Sequence, residues 1–328
     1  MNSTKSIPFS KKDSKKLNAI GLRATYGLTI LKLKEEIKSL AVFTADTSTS
    51  AGLDRFRQTY PESFYDIGIA EQAMISIAAG YVAEGGIAAA STFAPFLMLR
   101  SAEQIRLSLG YMNLPLIVTG LASGLALGHL GYTHCCVEDS SLAISIPNIY
   151  MYTPSDAFEL RNFLPYIINM RRPTYIRLTG IGKTKQIYSD DITTDFYSPI
   201  PIETSGEELL ILSSGVVSAN VKEAINLLVE ARKEKISHYV IPFLDQVKTP
   251  EAIGRIIKNF PNIIVCDEST IGGVSSIILS QLQNLKITPN LILNIHPSKY
   301  LSCGSHDYML KQIGLSKEEI YEQIIKII

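Results

Sequence analysis

The chain has no tryptophan, and its four cysteines, Cys135, Cys136, Cys266 and Cys303, form no C-x-x-C pair. That spacing excludes a zinc ribbon or a thioredoxin-type redox motif. The adjacency of two of the cysteines argues against a disulfide scaffold, so a reducing cytoplasm is the expected location. No charge of either sign is in excess: Lys plus Arg and Asp plus Glu are both 31. This balance removes the electrostatic footprint of a nucleic-acid or anionic-membrane binder and leaves small molecules or proteins as partners. The opening MNSTKSIPFSKKDSKK lacks the apolar core of a signal peptide and reads as a solvated tail over residues 1–15. From Leu107 to Val137 there is no Asp, Glu, Lys or Arg, but Pro115, Gly110, Gly120, Gly124, Gly128 and Gly131 interrupt the run. A membrane span needs about 20 mainly apolar residues in one helix, so a buried strand and a glycine-rich loop are expected instead.

What is present is a 328-residue chain, 46% apolar and 19% charged, long enough for two cores. Short apolar strand signals (AVFTA, IAAAST, LPLIVTG, NIYMYT, PTYIRL) alternate with helical ones, including one helix over PFLMLRSAEQIRLSLG. The polar text of 184–206 reads as a linker, after which alternation resumes with ELLILSSG, SHYVIPF, NIIVCDES and LILNI. The expected fold class is α/β: two doubly wound, mostly parallel-sheet domains over 16–183 and 207–328.

Ligands of open α/β sheets bind beyond the carboxyl ends of strands. Four loops meet that condition, at 45–52, 65–72, 91–96 and 120–139, and they offer Asp46, Glu71, Phe93, Phe96, His129, His134 and Glu138. Glu71 opens a helical run of small residues, where an ionised side chain is costly. It is either a catalytic acid or a carboxylate favourable to the helix dipole. Phe93 and Phe96 are either core or a stacking platform, Asp46 a ligand or a loop cap, and His134 a proton carrier or a satisfied loop histidine. His129, His134, Cys135, Cys136 and Glu138 fit no standard zinc spacing, so no metal is assigned to this chain. Glu138 is expected to reach a partner chain or to cap the following helix.

DIGIAEQ, STFAPFLMLRSAEQIR and GYTHCCVED followed by IPN occur in an order that resembles the pyrimidine-binding domain of the transketolase family of thiamine diphosphate enzymes; the remainder resembles that family's C-terminal domain. The G-D-G motif of the family's diphosphate domain is missing, so the chain resembles the small subunit of a split transketolase. The resemblance implies thiamine diphosphate as cofactor, with Mg2+ or Ca2+ held by a larger diphosphate-binding partner in a heterotetramer. It gives Glu71 the role of stabilising the cofactor's imino tautomer, Phe96 that of stacking on the aminopyrimidine beside Phe93, and Asp46 a place near the cofactor. His134 would face the substrate carbonyl and act as a proton carrier.

Departures from the family pattern bear on the substrate. Leu130 replaces an acid that reads a substrate hydroxyl, while Ala122 and Gly180 replace a histidine and an arginine that face phosphate. Arg23 matches a surviving basic position, His129 adjoins the same channel, and Arg177 is read as structural. Charge-assisted donors to phosphate are worth about 1.5–3 kcal/mol each, so the expected reaction is two-carbon transfer, ketol or acyl, with a substrate lacking the usual sugar phosphate. The alternatives are an ordinary split transketolase, the beta chain of a 2-oxoacid dehydrogenase or acyloin-forming enzyme, and a silent scaffold subunit.

Overall fold

A computed structural model of the chain describes residues 14–188 and 196–328, together with the backbone of 7–8 and 193–194. Most of the tail expected over 1–15 therefore lies outside the described residues. Two mostly parallel sheets flanked by helices carry the fold. The larger runs, edge to edge, through Phe243–Leu244, Tyr150–Tyr152, Thr174–Thr179, Ile117–Ser123, Ile87–Phe93, Leu40–Thr44 and Phe64–Asp66. Leu40–Thr44, Ile117–Ser123 and Thr174–Thr179 are buried throughout, so apolar residues occur on both faces of each strand without a polar alternation, and Arg177 is the one charged residue among them. The smaller sheet runs through Leu291–Ile295, Asn262–Cys266, Leu209–Ser213, Ile236–Val240 and Ile200–Thr204.

The chain departs from local expectation in three places. Residues 184–206 hold more than a linker: Ile187 and Tyr188 are buried in the first core, and Ile200–Thr204 is an antiparallel edge strand of the second sheet. Phe243–Leu244, far along the sequence, returns to the first sheet and pairs antiparallel with Tyr150–Tyr152. The stretch expected as one α-helix contains two wider π-turns, Pro95–Arg100 and Arg106–Tyr111, around a short α segment, Ala102–Ile105. Two C-terminal helices, His306–Gln312 and Lys317–Ile327, complete the second unit; Ser305 and Ser316 cap them by accepting from the Tyr308 and Glu319 amides. One apolar cluster runs continuously from Phe43 and Met74 to Ile253 and Val265, so the two sheets share a core.

Arg177 joins the two halves. It lies in Thr174–Thr179 at 0% exposure; its Nε donates to both Asp139 oxygens at 3.0 and 2.9 Å, and its Nη1 meets Asp267 at 3.2 Å. Nη2 donates to the Glu268 carbonyl at 3.0 Å. Burial opposes the charged guanidinium, but Asp139 and Asp267 outweigh it and hold the proton more firmly than usual. Removing one member of a buried charge network leaves the others uncompensated. Arg177→Met is therefore expected to lower the unfolding free energy by about 3–5 kcal/mol, read from the urea midpoint. Arg177→Lys, which keeps the charge and loses the planar fork, is expected to fall between the two.

Candidate active site

Four loops meet at the carboxyl ends of adjacent parallel strands, and Asp46, Phe93, Ala122 and Gly180 each stand at or just beyond one of those ends. Glu71 is the first residue of the helix Glu71–Ala83, behind Ala70, which offers no side-chain cap. Its carboxylate thus lies at the helix's positive end, and it is 2% exposed. Arg100, at the end of the first π-turn, donates from Nη1 to Glu71 Oε2 at 2.8 Å while its guanidinium lies 4.5 Å over the Phe96 ring. The wider turn brings Phe96 and Arg100 to one side, where an arginine can serve a carboxylate and a ring together.

His134 closes the cluster. Its ring is 5.4 Å from Phe96 and 6.0 Å from Phe93, edge-on to both, and Phe93 meets Phe96 at 6.2 Å. Thr133 Oγ1 lies 3.0 Å from His134 Nδ1. Ala122 is buried at φ 52° and packs beneath Phe93, so it reaches the site as a floor and does not face solvent. Gly180 is likewise buried, at φ 80°, with Val216 alongside. Leu130 and His129 are exposed on the loop's short turn. Arg23 is half-buried and donates to the Ser50 carbonyl at 3.2 Å. Burial draws its pKa down.

The structure therefore brings Glu71, Phe93, Phe96 and His134 into one cluster. Among the described residues, Asp46, His129, Leu130, Arg23 and Gly180 make no hydrogen bond or ring contact with it. Two contributors escaped the sequence reading. Arg100 lies inside the stretch STFAPFLMLRSAEQIR, but only the π-turn aims it at Glu71. Asp66 accepts from the Asp46 amide at 2.9 Å and the Gly68 amide at 3.0 Å, tying the first loop to the second. Glu138 neither caps a helix with its side chain nor is free: it accepts from the Val137 amide and the Tyr300 hydroxyl. No group of three or more His, Cys, Asp or Glu side chains among the described residues is placed to hold a metal.

Residues 18–181, which hold this cluster, match the transketolase pyrimidine-binding domain. The chain belongs to that family. A putative transketolase C-terminal section from Methanocaldococcus jannaschii is 29% identical over 93% of this chain and 96% of its own length. An apulose-4-phosphate transketolase subunit from Actinobacillus succinogenes is 28% identical over 86% of this chain and 90% of its own length. A 6-deoxy-6-sulfo-D-fructose transketolase subunit from a Clostridium species is 28% identical over 93% of this chain and 94% of its own. Among solved structures, a split-gene transketolase described as an inactive beta4 tetramer superposes with a TM-score of 0.81 at 25% identity, covering 94% of this chain and 98% of that one.

Within this transketolase-family site, Arg100 is the cation beside a nearly inaccessible carboxylate. Arg100→Ala is expected to cost about 1 kcal/mol of stability in urea unfolding at neutral pH, below the roughly 1.5–3 kcal/mol of a hydrogen bond to a charged group because the arginine is half exposed. An unchanged midpoint would show that the pair carries no weight.

Proposed function

We propose that this chain is the small, pyrimidine-binding subunit of a two-component transketolase that transfers a two-carbon unit, ketol or acyl, using thiamine diphosphate bound between subunits. The Glu71–Arg100–Phe96 stack carries this reading. A flat cation with N–H donors rests 4.5 Å over the Phe96 ring and donates to the buried Glu71 carboxylate at 2.8 Å. A flat nitrogen heterocycle satisfies the same ring face and the same oxygen, so the residues present fit an aminopyrimidine, with Arg100 giving up that place to it.

When bound, thiamine diphosphate supplies the carbon nucleophile and the electron sink for cleaving a bond beside a carbonyl. The chain's own residues do the rest. Glu71 would share a proton with the far ring nitrogen, and Phe96 would hold the ring by stacking worth about 0.5–1.5 kcal/mol, with Phe93 edge-on beside it. His134, edge-on to both rings, moves a proton at the substrate oxygen. Asp46 borders the cofactor from the neighbouring loop that Asp66 secures.

A larger subunit supplies the diphosphate half with Mg2+ or Ca2+, since this sequence has no G-D-G. Support for such a partner is the rim around Glu71: Ile69 is 76% exposed, and Ile77 and Leu99 are about half exposed. A heterotetramer with two-fold symmetry is the arrangement that closes such an interface. No helix among the described residues is long and apolar enough to cross a membrane; cytoplasmic residence belongs to the same proposal.

The substrate departs from the usual sugar phosphates. Ala122 and Gly180 offer no side-chain donor and Leu130 no acceptor, while Arg23, held by the Ser50 carbonyl, is a basic position that matches the family. Relatives named for apulose 4-phosphate and for a sulfo-sugar support a family branch with unusual substrates.

Reconstitution with a G-D-G subunit tests the catalytic assignment. The chain alone is expected to be inactive, the complex active, and the Glu71→Gln complex to assemble normally with turnover lowered by about 10²–10⁴-fold; near wild-type turnover would remove Glu71 from the mechanism. Steady-state comparison tests the substrate. Xylulose 5-phosphate with ribose 5-phosphate is expected to give a kcat/KM below the common range of about 10⁴–10⁸ M⁻¹s⁻¹, and a value inside it would make the enzyme an ordinary transketolase.

A further inference from the structure

The glycine-rich loop that carries Leu130 and His134 is shaped by the C-terminal half of the chain. A Cβ at Gly124 would stand 2.8 Å from the Glu268 carboxyl, one at Gly128 2.5 Å from Met309 Cγ and 2.7 Å from the Gly304 carbonyl, and one at Gly131 2.9 Å from Cys303 Sγ. All three glycines are thus points where the C-terminal half closes on the loop, and at Gly128, where the backbone carbonyl of Gly304 is the neighbour, a methyl group would force the two apart.

Hydrogen bonds follow the same seam. The Gly304 amide donates to the Gly128 carbonyl at 3.1 Å, and Tyr132 packs edge-on against Tyr300 at 4.6 Å. Tyr300 in turn donates its hydroxyl to Glu138 at 2.8 Å. Deeper in, Glu268 Oε2 accepts from the Leu125 amide at 3.1 Å and meets His306 Nε2 at 2.8 Å. Glu268 is 1% exposed, and its other oxygen, Oε1, is buried without a hydrogen-bond partner among the described residues. Burial disfavours both charged forms, yet their attraction prevails: the Glu268 carboxyl is held below its usual range and the His306 imidazole above. Charge on the carboxylate strengthens its grip on the Leu125 amide.

We propose that residues 299–306 act as a positioning element of the substrate channel, holding the loop 124–134 from behind, with the Glu268–His306 pair as its pin. The proposal rests on the reading that His134 and Leu130 face the substrate. Short-range turns, Leu130 N to Leu127 O and His134 N to Gly131 O, set the loop's local shape. Its inner side presents His134 to Phe96, and its outer side is gripped by the C-terminal half. Glu268 and His306 are positioning residues that act through the backbone at Leu125 and touch neither substrate nor cofactor.

Amide hydrogen exchange on the full chain alone tests the pin without partner, cofactor or substrate. His306→Ala is expected to speed exchange of the amides at 124–134 by about tenfold, as loss of a hydrogen bond to a charged group requires, while amides of Ile87–Phe93 stay unchanged. His306→Gln, which keeps an N–H donor, is expected to recover much of that protection. Tyr300→Ala, at a residue 71% exposed, is expected to loosen the loop's outer edge. In the reconstituted complex, His306→Ala is expected to raise KM for the substrates by about tenfold with cofactor affinity unchanged. Exchange that is unaltered at the loop in both alanine variants, or that rises uniformly over the chain, overturns the proposal, as does a loosened loop with unchanged KM. Failure of the transketolase reading would show separately, as absent turnover in the wild-type complex.

Discussion

The buried charge of Arg177 is the constraint on which the rest of the structure depends. It projects from the first sheet into the carboxyl ends of the second, where Cys266 ends a strand and Asp267 and Glu268 follow. In an isolated doubly wound sheet that crevice is where a ligand would bind. Here an internal guanidinium reaches into it, and the second sheet holds the first through that contact. Asp139, the other carboxylate on Arg177, begins the helix Asp139–Ser145 that follows the His134 loop, and Glu268 anchors the Leu125 amide on the same loop. One buried cation therefore lies behind both ends of the loop that carries His134.

At the opposite side of the site the means are different. Glu71 is kept by local contacts: the positive end of its own helix and a cation delivered by a π-turn from the neighbouring element. Such a turn costs helical regularity and gives a side-chain direction that a regular helix would not. The result is a buried carboxylate next to an aromatic face, with one arginine serving both.

The two sides meet at Phe96, which touches Arg100 on one side and His134 on the other. Ala122 supports Phe93 from below, so a small buried residue at the end of its strand sets where the ring floor lies.

The sequence by itself determined the parallel α/β class, the order of most strands and helices, and the motifs around Glu71, Phe93, Phe96 and His134. These were legible because burial on both faces leaves unbroken apolar runs and because loops beyond strand ends concentrate polar and aromatic residues. Tertiary structure alone decided what those residues meet. The return of Phe243–Leu244 to the first sheet, the edge strand Ile200–Thr204 inside a polar stretch, and the bond from Tyr300 to Glu138 all join positions far apart in sequence. Local periodicity carries no record of such pairings. Arg100 is the sharpest case: its presence was in plain text, but the widened helical turn decided that it faces Glu71, and that choice depends on the packing of the whole chain around it.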